Sequence, residues 1–199
     1  AITDWAKKQV NPQVPLYLYF LSHNLGDQFL LEKTDTQEKY LSPKLLDTWL
    51  DQLPAGTPVT VILEACHSGN FLQKSKGLVA DGRTVIASAS ADKQSKIARS
   101  SSFSRTFFSL IESNQPIAEA FEQASQRLER MPYHRGQSPQ FDSDGDGRAN
   151  QAEDYATLRG KYLPSDLISL ANPPQLTAIT DAATLREGVS SQRIEVEVV

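Results

Sequence analysis

Two short, strongly apolar runs, Leu16–Leu21 and Val59–Leu63, constrain the fold of this chain more than any other feature. Runs of this kind are typical of strands that are buried on both faces of a parallel sheet. Between them, Ser42-Pro43 has the residue types of a helix start, and apolar residues at helical spacing follow it. A strand, a helix and a second strand in this order predict a right-handed βαβ unit and a mainly parallel sheet.

The same alternation continues along the chain. We predict a third strand over Arg83–Ala89 and an irregular loop over Tyr133–Phe141. Further helices are predicted over Ile2–Gln9, Phe103–Ile111, Pro116–Met131 and Gln151–Tyr162. The predicted fold class is therefore α/β, in a three-layer domain with a mainly parallel sheet.

The composition is that of an ordinary folded chain. The 199 residues are 39% hydrophobic and 22% charged, and the formal net charge is −4. The negative charge argues against a nucleic acid or an anionic membrane surface as a partner. No apolar stretch reaches the length of a membrane span. A single cysteine excludes a disulfide within the chain and leaves its compartment open.

The character of the chain changes after Pro164. Asn172-Pro173-Pro174 is a linker signal, and Arg193–Val199 alternates apolar and charged residues like a strand. We therefore predict a main domain over residues 1–165, and a linker with the start of a β appendage over residues 166–199. Because the chain starts at Ala1 rather than Met, we expect it to be a processed or cut piece.

Both apolar runs end in residues that can take part in catalysis. His23 follows the first run, and Cys66, the only cysteine, follows the second. Parallel strands share one carboxyl edge, so the two side chains can face the same crevice. An imidazole that takes the thiol proton and returns it to a leaving amine makes such a pair a nucleophilic catalyst. The plainer interpretation is a buried thiol and a hydrogen-bonded histidine at a strand end.

The sequence around both residues resembles a known family. Glu64-Ala65-Cys66-His67-Ser68-Gly69 resembles the Glu-Ala-Cys-x-Ser-Gly element of the bacterial branch of the legumain family of cysteine peptidases, within the caspase-like group. Phe20-Leu21-Ser22-His23-Asn24 is similar to the apolar strand that ends in His-Gly in that family. Val85–Asp92 and Ser102-Phe103-Ser104 are similar to segments of the bacterial relatives. The resemblance extends over roughly residues 1–163.

The resemblance implies a caspase-like fold and acyl transfer from a peptide bond to the Cys66 thiolate. His23 would be the general acid and base, and the backbone N–H groups of Cys66 and Asn24 would form the oxyanion hole. His67, which directly follows the thiol, and His134, in a polar loop that we expect to be solvated, are weaker candidates for the base. For the neighbouring Glu64 we expect burial and a structural partner, either a backbone N–H or an arginine.

The resemblance also implies a substrate-binding segment after the third strand. Ser88 and Ser90 match positions that line the first pocket of the family. Asp92 either makes that pocket acidic, which would favour a basic residue, or is a solvated loop charge.

The chain departs from the family at two places. Asn24 stands where the family has glycine; its backbone tolerates unusual angles, but its side chain can crowd the substrate carbonyl. Relatives also have further strands before the histidine strand, whereas here only a helix precedes it. We therefore expect the first strand to be an edge that a second chain completes.

An acidic segment fits the twelve-residue calcium loop. Carboxylates fall at loop positions 1, 3, 5 and 12, and a glycine falls at the turn position. The predicted ligands are Asp142, Asp144, Asp146, Arg148 (through its carbonyl), Asn150 and Glu153. The alternative is a solvated acidic turn. Because no helix pattern precedes the loop, we expect a structural calcium site rather than a sensor.

These observations favour a cysteine endopeptidase that acts on a peptide or protein substrate and carries a structural calcium ion without an organic cofactor. Two alternatives stay open: an inactive caspase-like module that binds a peptide or partner, and a transamidase that passes the acyl group to an amine. The single calcium loop weakly favours an extracytoplasmic setting.

Overall fold

The computed structural model of the protein describes residues 2–98, 100–163 and 195–197. The strands are β1 (Leu16–Leu21), β2 (Asn24–Leu25), β3 (Gln28–Lys33), β4 (Glu38–Leu41), β5 (Val59–Glu64), β6 (Arg83–Ala87), β7 (Gln140–Asp142) and β8 (Glu195–Glu197). The α-helices are α1 (Ile2–Gln9), α2 (Pro43–Leu50), α3 (Phe103–Glu112), α4 (Ile117–Arg130) and α5 (Ala152–Leu158). None of the helices in this described part is long and apolar enough to cross a membrane.

The central sheet has the strand order β7-β6-β5-β1-β8. Strand β5 pairs in parallel with β1 on one side and with β6 on the other, while β7 pairs antiparallel with β6. Every residue of β5 is buried, as its strongly apolar sequence predicts. The prediction of a mainly parallel sheet is confirmed.

Successive residues of a strand point to opposite faces of the sheet, so the strands contribute to two hydrophobic cores. Helices cover both of these faces. One core joins the sheet to α1 and α2 through Leu16, Leu18, Phe20, Val61, Leu63, Val85, Ala6, Leu46 and Leu50. The other joins it to α3, α4 and α5 through Tyr17, Tyr19, Ile62, Ile86, Phe103, Phe107, Phe121, Leu128 and Leu158. The domain is therefore three-layered, as predicted.

Local capping determines where the helices start. The Ser42 hydroxyl accepts a hydrogen bond from the Leu45 N–H, at 3.1 Å, in front of Pro43. Ser102 caps α3 in the same way, through the Arg105 N–H at 3.2 Å. Some predicted ends were too long: the third strand ends at Ala87 and the last helix at Leu158.

A second, three-stranded sheet formed by β2, β3 and β4 was not predicted. It lies in the connection between β1 and α2, and it packs on the first core through the fully buried Phe29 and Leu41. The turn at Gly26, followed by the apolar Phe29–Leu31, was its signal in the sequence. Strand β7 was also missed, because two of its three residues, Gln140 and Phe141, end a segment interpreted as loop.

The edge of the sheet next to β1 differs from the prediction. Strand β8 of the same chain pairs in parallel with Tyr19–Leu21, where we expected a second chain. A strand in this part of the chain was predicted from its alternation, but as part of an appendage. The predicted linker at residues 166–194, and with it the predicted domain boundary, lies outside the described residues.

Candidate functional site

His23 and Cys66 lie at the same carboxyl edge of the central sheet. Leu21 of β1 is paired with Glu64 of β5, and each of the two candidate residues follows its strand by two positions. Neighbouring strands are about 4.8 Å apart. His23 is exposed and Cys66 is half-buried, so both are open to solvent. The structure therefore places the two predicted residues at the same edge of the sheet, on neighbouring strands.

Asn24 links the two strand ends directly. Its side-chain nitrogen donates to the carbonyl of Cys66 and to that of Gly26, both at 2.8 Å. Because both partners are acceptors, the amide nitrogen must face them, and the orientation of the carboxamide is unambiguous. The residue is 5% exposed. The Asn24 side chain is therefore turned into the protein, and the predicted crowding of a substrate carbonyl by this side chain is not observed.

The backbone N–H groups assigned to the oxyanion hole are available. Within the described residues, the Cys66 N–H has no acceptor. The Leu30 N–H donates to the His23 carbonyl at 2.9 Å, so the neighbouring pair of Asn24 and Phe29 is a non-hydrogen-bonded pair. In such a pair the N–H of Asn24 points away from β3. Neither N–H has an acceptor among the described residues, and their role as an oxyanion hole stays a prediction.

The thiol has a different partner from the predicted one. Cys66 Sγ lies 3.5 Å from the carbonyl oxygen of Ser95, to which the thiol donates. Among the described residues, the His23 ring makes no hydrogen bond. Catalytic hydrogen bonds commonly form only with substrate, so this geometry by itself does not exclude a Cys66–His23 pair.

The turn after Cys66 is held in an unusual backbone conformation. His67 has a φ of 57°, and its Nδ1 lies 3.0 Å from the carbonyl of Ala91, so that this ring nitrogen donates. At Gly69 an added Cβ would lie 2.6 Å from the Ala91 nitrogen. Only glycine fits this contact between the turn after β5 and the segment after β6, which accounts for the glycine of the motif.

A buried polar network supports the segment after β6. The Ser88 hydroxyl donates to the Ser95 hydroxyl at 2.8 Å, and the Ser95 hydroxyl donates to Glu64 Oε1 at 2.9 Å. Ser88 is completely buried. The prediction that Ser88 lines a substrate pocket was wrong, because its hydroxyl is spent on internal hydrogen bonds below the surface.

Ser90 and Asp92 lie nearer the surface of the same segment. The Ser90 hydroxyl donates to Asp92 Oδ1 at 2.7 Å, and Lys93 Nζ lies 2.9 Å from Asp92 Oδ2. The lysine, and then the serine, hold the pKa of the Asp92 carboxyl below its usual value. Asp92 is exposed, as the solvated interpretation predicts. Its charge is already balanced by a neighbouring lysine, which weakens the case for an acidic pocket.

Glu64 has the structural partner that was expected. The carboxylate is fully buried and accepts the Ser104 N–H at 2.5 Å, at the start of α3. A carboxylate at a helix N-terminus is stabilised by the free N–H groups there. Burial nevertheless dominates and raises the pKa of Glu64, while the hydrogen bonds from Ser104, Ser95 and Ser102 act in the opposite direction.

The acidic loop follows β7, and it brings three of the predicted ligands together. One carboxylate oxygen from each of Asp142, Asp144 and Asp146 lies within 4.8 Å of the others. The buried Asp142 accepts the N–H groups of Gly145 at 2.9 Å and of Gly147 at 2.6 Å. This arrangement points three carboxylates of the loop at one small volume, which is a donor set of the kind that hard cations prefer.

The other predicted ligands lie outside this group of three. Asn150 closes the base of the loop, because its side chain accepts the Phe141 N–H and donates to the Pro139 carbonyl. Arg148 and Glu153 are exposed. The adjacent Asp154 was not predicted as part of this site. It is fully buried and accepts the Ser143 N–H at 2.7 Å.

The sequence signal for the burial of Asp154 was the capping pair that it forms with Gln151 at the start of α5. Burial, and then the nearby Asp144 charge, raise the pKa of Asp154 against the effect of its backbone hydrogen bonds. Burial likewise raises the pKa of Asp142. Negative charge is therefore costly in this loop unless a cation is near.

Two buried residues of the loop before β7 complete the site. His134 is 1% exposed, so the prediction that it is solvated was wrong. Its Nε2 lies 2.8 Å from the Ser101 hydroxyl, and its Nδ1 lies 3.3 Å from Gln137 Oε1. Gln137 was not singled out from the sequence, since a lone glutamine in a polar loop carries no signal of burial.

Comparisons with known proteins identify no family. No family model matches the chain, and no curated protein matches it. Among solved structures, the chain is similar to the crystal structure of protein GSU0716 from Geobacter sulfurreducens, at 16% sequence identity and a TM-score of 0.45, covering 82% of this chain and 78% of that chain. A likeness at this level carries no argument about the site, whose chemistry therefore has to be argued from its own residues.

Proposed function

We propose that this protein is a cysteine endopeptidase in which Cys66 is the nucleophile and His23 is the general acid and base. The observation that carries the proposal is the common position of the two residues at the carboxyl edge of β1 and β5, two residues beyond the paired Leu21 and Glu64. Their side chains reach solvent, while every residue of β5 and alternate residues of β1 are buried. The legumain-like sequence around them gives the reaction class.

In the proposed reaction, the Cys66 thiol gives its proton to His23 and the sulfur attacks the carbonyl carbon of a peptide bond. The oxyanion is held by the backbone N–H groups of Cys66 and Asn24. The C–N bond then breaks as His23 protonates the leaving amine, and the acyl group stays on the sulfur. His23 next takes a proton from water, whose oxygen attacks the acyl carbon. The C–S bond breaks, the acid leaves, and the proton on His23 returns to the sulfur.

The experiment uses a peptide that carries an electrophile in place of the scissile bond. We expect this probe to label the native protein at Cys66, and His23→Ala to slow labelling by about 10²- to 10⁴-fold. His67→Asn is the matched control, because asparagine tolerates the left-handed backbone at that position. Equal labelling of the native protein and of His23→Ala would contradict the proposal.

A second candidate function is a peptide-binding module without catalysis, which the bond between the thiol and the Ser95 carbonyl favours. A native protein that binds the peptide reversibly but is never labelled would support this candidate. Product analysis with an added amine distinguishes transamidation from hydrolysis, because only a transamidase forms the new amide.

We also propose a structural calcium ion at the acidic loop, held in part by Asp142, Asp144 and Asp146. Carboxylate oxygens are the ligands that Ca²⁺ prefers, and the fit rests on the shared volume into which these three point. The roles of Arg148, Asn150 and Glu153 as further ligands stay predictions. A single loop of this kind suits the calcium levels outside the cytoplasm, so we propose an extracytoplasmic setting.

A further inference from the structure

The segment at residues 88–96, which follows β6 and contacts the thiol, is hydrogen-bonded by one buried side chain from a distant part of the chain. Gln137 is 2% exposed and lies in the loop before β7. Its Nε2 donates to the Ser88 carbonyl at 2.7 Å and to the Ser95 hydroxyl at 3.2 Å. Its Oε1 accepts the Lys96 N–H at 3.1 Å. The carboxamide is thus hydrogen-bonded to both ends of this segment.

The orientation of this carboxamide is determined by its partners. The Ser88 carbonyl can only accept and the Lys96 N–H can only donate, so the nitrogen and the oxygen cannot be exchanged. The oxygen therefore also accepts a hydrogen bond from His134 Nδ1, at 3.3 Å. Both amide hydrogens and both oxygen lone pairs of Gln137 are used.

We propose that Gln137 is a positioning residue for Cys66, acting through Ser95, an inference that rests on the proposed function for its catalytic meaning. The backbone carbonyl of Ser95 receives the thiol, and the side chain of Ser95 is bound by Gln137 and Glu64. The backbone carbonyl of Gln137 separately accepts the Ser90 N–H at 3.2 Å, so main chain and side chain of this one residue both contact the segment beside the thiol.

Loss of the Gln137 side-chain hydrogen bonds is expected to change two quantities, the rate at which Cys66 is alkylated and the KM for a peptide substrate. The Cys66 thiol must leave its hydrogen bond to the Ser95 carbonyl before its sulfur can attack an electrophile. In Gln137→Met, where Ser95 loses a partner that holds it, we therefore expect iodoacetamide to alkylate Cys66 about fivefold faster at neutral pH, the equivalent of one hydrogen bond. For a peptide substrate we expect KM to rise, because the Ser88 carbonyl and the Lys96 N–H lose their side-chain partner. A merely destabilised protein would also be alkylated faster, so the readouts are compared only between variants whose melting temperatures match that of the native protein.

The test compares Gln137→Met with Gln126→Met, which changes an exposed glutamine on α4, and with Ser95→Ala, which keeps the Ser95 carbonyl but removes its hydroxyl. Each protein is first shown to be folded by its melting curve, and Ser95→Ala decides the matter if Gln137→Met does not fold. Faster alkylation in a folded variant supports the proposal, whereas alkylation at the native rate or slower overturns it. Alkylation is independent of peptide turnover, so a native protein that cleaves no peptide would contradict the proposed function and leave this test intact.

Discussion

The carboxamide of Asn24 is the residue-scale difference between this chain and the family that it resembles. A glycine at this position would leave the ends of β1 and β5 joined only through the sheet. The asparagine adds two hydrogen bonds, to the carbonyls of Cys66 and Gly26, while its own N–H stays turned away from β3. The substitution thus exchanges backbone freedom for a fixed connection between the two candidate catalytic residues.

We therefore expect Asn24→Ala to lower the free energy of unfolding by about 1–3 kcal/mol, because a buried carbonyl loses its donor. Asn24→Asp should cost more, since a carboxylate oxygen would then face two carbonyl oxygens. Urea unfolding measures both changes. Leu25→Ala is the control, because that neighbouring side chain is 68% exposed. An Asn24→Asp protein as stable as the native one would show that the carboxamide does not make this connection.

At the scale of elements, Glu64 joins β5 to the start of α3. Its carboxylate accepts the Ser104 N–H and the Ser95 hydroxyl in a site without solvent. Burial raises the pKa of Glu64 above its ordinary value of 4.5. The folded state therefore binds the proton more tightly than the unfolded state does.

This direction sets the sign of a pH dependence. The stabilisation that comes from protonated Glu64 is fully present below pH 4.5 and is lost as the pH rises through the raised pKa of the folded state. We expect Glu64→Gln to remove this loss, so that the variant gains stability relative to the native protein as the pH rises above 4.5.

Chemical denaturation at a series of pH values measures this difference. Glu112→Gln, at the exposed end of α3, is the matched control, and its difference from the native protein should not follow the same trend. A constant difference between native protein and Glu64→Gln across the series would contradict the assignment.

At the scale of the whole molecule, the acidic loop connects two distant parts of the chain. Lys74 Nζ, in the segment after Cys66, donates to the Gly145 carbonyl at 2.8 Å. Gly145 has a φ of 80°, and an added Cβ there would lie 2.5 Å from the carbonyl carbon of Ala80. An ion that orders the loop would therefore also fasten the connection between β5 and β6.

We expect calcium in hundredfold excess over its dissociation constant to raise the melting temperature by about 5–10 °C, because it binds only the folded protein. Chelation should reverse the shift, and Asp144→Asn should reduce it. Asp35→Asn, in the exposed turn between β3 and β4, should leave the shift unchanged. A melting temperature that responds neither to calcium nor to chelator would contradict the structural role of the ion.

The elements with strong periodicity could be predicted because their cause is local. The strongly apolar β5, the Ser-Pro start of α2 and the amphipathic α4 each carry their pattern within a few residues. The β2–β4 sheet could not be predicted with the same ease, because β2 and β4 are short and all three strands are only partly buried. Their stability comes from packing Phe29 and Leu41 on a core built by other segments.

The sequence by itself determined the α/β class, the helix starts, the common edge of His23 and Cys66, and the acidic loop, since each follows from a local pattern or from the parallel order of two strands. The tertiary structure alone decided which polar groups meet: Asn24 with the Cys66 carbonyl, the thiol with Ser95, and Gln137 with the segment between them. It also buried Ser88 and His134, and it paired β8 with β1. The physical reason is that hydrogen-bond partners far apart in sequence are selected by packing geometry, for which a chain has no local code.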